Sequence, residues 1–178
     1  MASCLVPEEF TATLNVDKSK NFQFVYEGTI AYAPALAEIR KSGLLSSAGE
    51  TELKKGEAEL RGKPGFTSVE YVGHGRYKVR YQETGSVQSG KKLFLDLIEF
   101  RTSPSGGIRI LGTDISPDGR KQLSEIGLKL DGTLKVTTDL KVIEHNATST
   151  PWFGGLFGAY EWHITLDQAK RPTILLQP

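Results

Sequence analysis

Residues 10–32 read FTATLNVDKSKNFQFVYEGTIAY, and this stretch decides the class of fold that the sequence predicts. Apolar and polar side chains alternate on both sides of the polar run 17–20, which is the period of a β-strand with one buried face. The run 17–20 is typical of a hairpin turn, and Gly28 interrupts the second strand where a bulge or a bend is expected. The stretch therefore predicts an N-terminal β-hairpin that buries one face.

Helical patterns follow this hairpin. Between residues 34 and 62, alanine, leucine, glutamate and lysine replace most of the β-branched residues. Pro34 suits the first turn of one helix and Gly43 its end, and residues 50–60 predict a second helix with a thin apolar stripe. A third helix is expected after Ser116-Pro117-Asp118, which combines a capping hydroxyl, a first-turn proline and an acid that the helix dipole favours.

Short strands account for most of the remaining chain. The alternating or apolar runs are residues 69–71, 77–81, 93–100, 108–111, 128–130, 134–142, 160–166 and 174–176. Residues 93–100 are apolar on both faces apart from Asp96 and Glu99, which predicts a central strand, and Asp131-Gly132 predicts a tight hairpin turn. Short connections favour antiparallel pairing. The sequence therefore predicts an α+β fold, a curved and mostly antiparallel sheet of about eight or nine strands with two or three helices packed on one face.

Length and composition limit the class of protein. The chain has 178 residues with a net charge of +1, and 38% of them are apolar and 24% charged. These values favour a single globular domain and give no electrostatic support for a nucleic-acid partner. No stretch approaches the roughly 20 apolar residues that cross a bilayer. We expect a short tether over residues 1–8 and one α+β domain over residues 9–178.

Cys4 is the single cysteine, and it follows Ala2-Ser3. A small-small-Cys run resembles the end of a bacterial lipobox, where the signal peptide is cut and the cysteine sulfur carries diacylglycerol. It predicts a leader before Cys4 and a lipid anchor that holds the protein in the bacterial cell envelope, in the periplasm or on the outer surface. The alternative is an ordinary thiol in a frayed terminal segment. A lone cysteine excludes a Cys-based zinc cluster within one chain.

Motifs for catalysis, metal binding and nucleotide binding are absent from the sequence. It contains neither a Gly-x-Ser-x-Gly nucleophile motif nor a P-loop, and His74, His145 and His163 lack the spacing of a metal motif. The sequence therefore predicts no catalytic residue, no metal and no cofactor. An enzyme would need a buried Asp96 close to His74 or His163 in a cleft, whereas exposure or pairing with a lysine or arginine is the simpler interpretation.

The unusual segment is residues 151–160, PWFGGLFGAY, which combines four aromatic residues, one leucine and three glycines. Glycines let the backbone bend sharply while the aromatic side chains project from it. Three interpretations stay open: a flexible lid or wall over a hydrophobic cavity, a loop that enters the bilayer interface, and a loop folded back onto the core.

The strand and turn pattern resembles small bacterial lipoproteins of the LppM-like type. The residues that carry the resemblance are Cys4, the N-terminal hairpin, Gly132-Thr133-Leu134-Lys135-Val136, Thr138-Asp139, Val142, Asn146-Ala147 and Tyr160-Glu161-Trp162. The resemblance implies an α+β domain after a lipidated cysteine. It also implies a hydrophobic groove that binds a lipid or glycolipid, and no catalytic residues.

These observations predict a non-catalytic, lipid-anchored envelope protein that binds an apolar small molecule or a lipid. The candidate ligand-binding residues are Trp152, Phe153, Leu156, Phe157 and Tyr160 in the aromatic segment, with Tyr26 and Tyr32 in the sheet wall. The alternative is a protein-interaction or assembly module that uses an exposed aromatic loop or a free sheet edge. A pocket lined by the candidate residues favours the first interpretation, and a compact core with an apolar patch outside favours the second.

Overall fold

A computed structural model describes residues 4–152 and 158–178 of the chain. These residues form three helices and eleven strands. The helices are α1 (Ala33–Ser42), α2 (Ser47–Arg61) and α3 (Pro117–Glu125). The strands are β1 (Leu5–Val16), β2 (Asn21–Tyr32), β3 (Phe66–Gly73), β4 (Arg76–Ser86), β5 (Lys92–Leu93), β6 (Ile98–Thr102), β7 (Ile108–Gly112), β8 (Asp131–Thr138), β9 (Lys141–His145), β10 (Tyr160–Thr165) and β11 (Thr173–Gln177).

The strands form two sheets. The larger sheet has the order β10-β8-β1-β2-β4-β3, and the smaller sheet has the order β5-β6-β7-β11-β9. All neighbouring strands of the described residues pair antiparallel except β1 and β8, which run parallel. The α+β class and the mostly antiparallel pairing are confirmed. The single curved sheet was a wrong prediction, and so was its lower strand count, because the strands divide between two sheets.

The predicted N-terminal hairpin is confirmed as β1 and β2. Its alternating apolar residues share one face, and none of those from Phe10 to Tyr26 exposes more than 7% of its surface. The register shifts between Pro7 and Phe10, opposite Gly28, so the expected irregularity is a bulge in β1. Strand β1 begins at Leu5, so residues 5–8 of the predicted tether lie in this strand.

The three predicted helices are confirmed, and their ends follow from local chemistry. Helix α1 stops at Gly43, which adopts a φ of 85°. Ser46 and Ser116 cap α2 and α3, and each side chain accepts a hydrogen bond of 3.1 Å from the backbone N–H three residues later. Within residues 4–152 and 158–178, no helix is long and apolar enough to cross a membrane.

The predicted central strand over residues 93–100 is wrong, because a tight turn divides it into β5 and β6. Leu95 and Asp96 adopt φ values of 52° and 57°, and the N–H of Leu97 donates to the carbonyl of Leu93 over 3.1 Å. The turn places the ring of Phe94 among the aromatic side chains of the larger sheet, 4.5 Å from the ring of Tyr26. The apolar run is therefore explained by a turn that packs between the sheets, and not by a strand buried on both faces.

The predicted hairpin turn at Asp131-Gly132 is also wrong, because both residues lie within β8. Gly132 pairs with Phe10 of β1, and the Phe10 ring covers it so closely that an added Cβ would lie 2.2 Å from the ring. The glycine provides room for a neighbouring aromatic ring and does not make a turn. Residues 128–130 form no strand, and Leu128 and Leu130 are buried.

The main core lies between the larger sheet on one side and the smaller sheet with α2 on the other. Phe22 meets Phe100 with ring centroids 5.3 Å apart, and the Tyr77 hydroxyl donates to the carbonyl of Leu53 in α2 over 2.6 Å. A second, smaller cluster contains Ala31, Leu36 and Leu128, packed with Val6, Leu123 and Ile126. Neighbouring residues of a strand point to opposite faces, so Ile30 in the main core and Ala31 in the second cluster lie on opposite faces of β2. The helices therefore pack on both faces and not on one, as the sequence predicted.

Candidate functional site

The aromatic segment that the sequence singled out lies only partly within the described residues. Phe153, Leu156 and Phe157 lie outside them. Trp152 has 73% of its surface exposed. Tyr160 is half-buried at the start of β10, and its ring meets that of His145 edge to face at 4.8 Å.

An open cleft of about 590 Å³ lies beside this segment, with Tyr160, Pro151 and Gly158 on one side. Its other lining residues are Asn15, Lys18, Thr137, Thr138, Asp139, Leu140, Lys141 and Val142. Six of these eight side chains are polar or charged, so these walls do not match the apolar pocket that the first functional interpretation requires.

Of the two tyrosines that the sequence placed in the sheet wall, Tyr26 lies in the main core and Tyr32 packs against it. Tyr26 is fully buried, and its ring stacks at 5.1 Å on that of Phe10. Its hydroxyl donates to the carbonyl of Thr29 over 2.8 Å, and burial raises the pKa of Tyr26 well above its ordinary value. Tyr32 borders a space of about 10 Å³ beside α2, which is roughly the volume of one water probe. Neither tyrosine adjoins the aromatic segment's cleft.

A compact apolar cavity of about 140 Å³ lies at the start of β1, and we call it the leucine cavity. Its lining residues are Leu5, Val6, Pro7, Leu95, Leu97, Thr113, Ile115, Leu123, Leu128 and Leu130. Thr113 is the single polar residue among these ten. Some of them belong to the main core and others to the second cluster, so the cavity is the gap where the two hydrophobic clusters meet. An aliphatic space of about this size can hold a small apolar molecule.

A strained turn forms one wall of the leucine cavity. Leu95 adopts the left-handed conformation, which costs a residue with a Cβ atom about 1 kcal/mol or more. Leu95 and Leu97 both line the cavity, while the carboxylate of Asp96 pairs with the ammonium of Lys92 at 2.9 Å on the surface. The turn thus keeps its charged residue in solvent and its leucines in contact with the cavity.

Helix α3 covers the same cavity and is loosely held. None of its residues is fully buried, although Leu123 is half-buried and lines the cavity. Arg120 attaches the helix to the rest of the domain, because its guanidinium group donates hydrogen bonds of 2.8 Å to the carbonyls of Ile115 and Gln168. An element with few buried contacts opens at low free energy. Helix α3 is therefore a loosely packed part of the cavity wall.

The acid and histidine residues considered for catalysis lie in separate surface pairs. Asp96 pairs with Lys92, as the simpler interpretation expected. His163 lies 3.6 Å from Asp131, and His74 lies 3.8 Å from Glu50. Among residues 4–152 and 158–178, no group of three His, Cys, Asp or Glu side chains could hold a metal ion. These side chains do not form the buried acid and histidine cleft that an enzyme hypothesis would need.

Sequence analysis did not identify the residues of the leucine cavity. Leu95 and Leu97 were assigned to a central strand, and Leu128 and Leu130 to the first strand of a hairpin. The available signal was a surplus of leucines in the short connections around α3 and before β6. Pattern alone could not show that these connections converge on the start of β1.

Comparisons with known proteins identify a distant structural neighbour. No protein-family profile matches the sequence, and a search of curated proteins finds no match. Among solved structures, the NMR structure of the folded domain of LppM from Mycobacterium tuberculosis is similar, with a TM-score of 0.47 and 10% identity. The match covers 96% of this chain and 89% of that one. This neighbour is of the type that the sequence pattern resembles, but at this TM-score the likeness carries no inference about function, and no family membership is shown.

Proposed function

We propose that this protein is a non-catalytic binding domain that takes an apolar group, such as part of an acyl chain, into the leucine cavity. The observation that carries the proposal is a cavity of which nine of the ten lining residues are apolar. Each methylene group that moves from water into such a space contributes about 0.8 kcal/mol. Binding is therefore expected to strengthen with chain length until the cavity is full.

The size of the cavity sets a condition on the ligand. Small-molecule sites usually measure about 300–1,000 Å³, whereas the leucine cavity measures about 140 Å³. It accommodates a short segment as it stands, and a longer chain requires α3 to move outward. The strained turn at Leu95 and the weak attachment of α3 support this proposal, because binding elements are often strained or loosely packed.

A calorimetric titration with decanoate tests the proposal. Leu123→Trp fills the cavity from α3, and we expect it to weaken decanoate binding at least tenfold. Leu44→Trp is the matched control, because Leu44 is 63% exposed and lies outside the cavity lining. Melting curves of both variants show that they are folded, and Leu128→Phe serves as a second filling variant. The proposal is wrong if the wild type does not bind, or if filling variants bind as the wild type does.

We also propose that Cys4 carries diacylglycerol and anchors the domain in the bacterial cell envelope. The small residues before Cys4 support this, and Leu5, the next residue, lines the leucine cavity. An anchor at Cys4 would hold the cavity next to the bilayer, where acyl chains are available. Two acyl chains give stable attachment, whereas one gives marginal binding. Expression of the full-length natural gene with Cys4→Ser should release the protein from membranes, and a wild type that is already unattached contradicts the anchor.

A second candidate function is a protein-interaction module of the envelope. It is favoured by the 73% exposure of Trp152, since large exposed aromatic side chains are common at contact surfaces. Pull-down from solubilised membranes with the wild type and Trp152→Ala tests it. Loss of a specific partner in the variant supports the module, and unchanged partners count against it.

A further inference from the structure

The outer face of the smaller sheet carries an open groove of about 520 Å³ that shares no residue with the leucine cavity. Its lining residues are Arg101, Thr102, Ser103, Ser105, Gly107, Arg109, Ile143, Leu175, Leu176 and Gln177. Among the described residues, the charged side chains that line it are the two arginines. We call it the arginine groove.

The two arginines lie directly opposite each other. Arg101 of β6 is the antiparallel partner of Arg109 of β7. Like charges in this arrangement repel each other, and one carboxylate lies near each arginine, Glu99 beside Arg101 and Glu144 beside Arg109. A bound anion between the two guanidinium groups would remove this repulsion.

Neither arginine is saturated by its neighbours. Arg101 donates through Nε to Glu99 at 2.7 Å, which orients its guanidinium group and leaves its two terminal nitrogens without a hydrogen-bond partner in the described part of the chain. Arg109 lies 3.8 Å from a carboxylate oxygen of Glu144, which is too long for a hydrogen bond. Glu99 and Glu144 therefore leave several guanidinium N–H groups of the two arginines without a hydrogen-bond partner among the described residues.

The loop between β6 and β7 adds further donors at one end of the groove. The Ser103 hydroxyl oxygen accepts from the N–H of Gly107 at 3.0 Å and lies 2.9 Å from the Ser105 hydroxyl oxygen. One of the two hydroxyl protons joins the two serines, so the other is available for a ligand. The ammonium of Lys20 lies beside the same loop, 3.4 Å from where a Cβ at Gly106 would be.

We infer that the arginine groove binds a phosphate monoester that carries an apolar substituent. Guanidinium groups match phosphate oxygens in pairs, and the available serine hydroxyl supplies a donor for a third oxygen. Ile143, which is 47% exposed, and the half-buried Leu175 offer an apolar surface beside the arginines. The same chemistry is found in a soluble phosphate ester and in the headgroup of phosphatidic acid. The inference is independent of the proposed function of the leucine cavity.

Calorimetric titration of the full chain separates these sources. The probes are inorganic phosphate, hexyl phosphate, and phosphatidylcholine vesicles with and without phosphatidic acid. The test variant is Arg101→Gln/Arg109→Gln. The control is Arg40→Gln/Arg80→Gln, which removes two exposed arginines elsewhere and leaves the same net charge.

We expect hexyl phosphate to bind more tightly than inorganic phosphate, and the test variant to weaken its binding at least tenfold while the control changes it less than twofold. Arg109→Lys keeps the charge without the paired donors and should give an intermediate loss, which preserves the test if the double variant does not fold. The site is supported if hexyl phosphate or phosphatidic acid vesicles bind and this binding depends on Arg101 and Arg109. The probe that binds then shows whether the ligand is a soluble ester or a lipid headgroup. The site is refuted if neither ester binds, or if the test variant binds as the control does.

Discussion

At the scale of single residues, Gly132 is an instructive position, because a hairpin signal in the sequence proved to be a packing requirement. The ring of Phe10 occupies the space where a side chain at position 132 would lie, and that ring is itself stacked on Tyr26. We expect Gly132→Ala to destabilise the fold by about 1–3 kcal/mol, as overpacking does. Gly62→Ala is the control, because its φ is −76° and its nearest neighbour atom is 3.5 Å away. Urea unfolding of both variants measures the difference, and equal stabilities would contradict the packing account.

The backbone of Leu95 gives a second prediction at this scale. In regular structure, glycine normally gives a less stable fold than alanine does. At a φ of 52° this order of stability reverses, because glycine has no Cβ atom. We expect Leu95→Gly to be more stable than Leu95→Ala by about 1 kcal/mol. At Leu97, which has no positive φ, the alanine variant should be the more stable one. Thermal unfolding of the four variants tests this prediction. If the alanine variant is the more stable one at both positions, Leu95 is not strained.

At the scale of elements, α2 protects the outer edge of β3. The N–H of Tyr71 donates to a carboxylate oxygen of Glu57 at 2.9 Å, and Arg61 donates to the carbonyl of Val69 at 2.8 Å. These side chains occupy backbone groups that would otherwise be open to another strand. The hydrogen bond from Tyr71, followed by the nearby Arg61, holds the pKa of Glu57 below its ordinary value.

This lowered pKa makes the contact depend on pH. A carboxyl group with a lower pKa in the folded state stabilises the fold above its unfolded pKa, about 4.3 for glutamate, and loses that contribution as pH falls through the folded value. We therefore expect Glu57→Gln to lower the melting temperature at pH 7, and its difference from the wild type to shrink as the pH falls toward 3. Glu52→Gln, which removes only an exposed pair with Lys55, is the control. A Glu57→Gln deficit that persists unchanged at pH 3 would rule out the carboxylate as its cause.

The elements also show what a sequence can reveal. The hairpin and all three helices were predictable, because their signals are local: alternation in residues 10–32, and capping residues such as Ser116. The division of residues 93–100 was not, because it depends on Phe94 finding aromatic partners in β2 and β4. Likewise the leucine cavity forms where three separate segments of the chain meet. Sequence analysis instead chose its site residues mostly for the aromatic content of residues 151–160, with Tyr26 and Tyr32 from the second strand.

At the scale of the whole molecule, one hydrophobic core links both sheets. The main cluster includes Trp162 and Leu134 from the larger sheet and Phe100 and Ile174 from the smaller sheet. Shared burial predicts that the two sheets unfold together. In a Trp152→Phe variant, Trp162 is the single tryptophan, and its fluorescence should report the same melting temperature as circular dichroism. Two separate transitions would mean that the sheets are independent units.

The parallel contact between β1 and β8 has a consequence for how the chain is made. The side-chain amide of Asn15 donates to the Thr137 hydroxyl across 122 positions of sequence. At about 5–20 residues per second, a ribosome needs on the order of ten seconds to deliver β8 after β1 has emerged. Throughout that interval the free edge of β1 can pair with the same edge of another nascent or refolding chain. In cell-free synthesis, a β8 peptide added during translation should therefore raise the yield of soluble protein, and an unchanged yield would contradict this account.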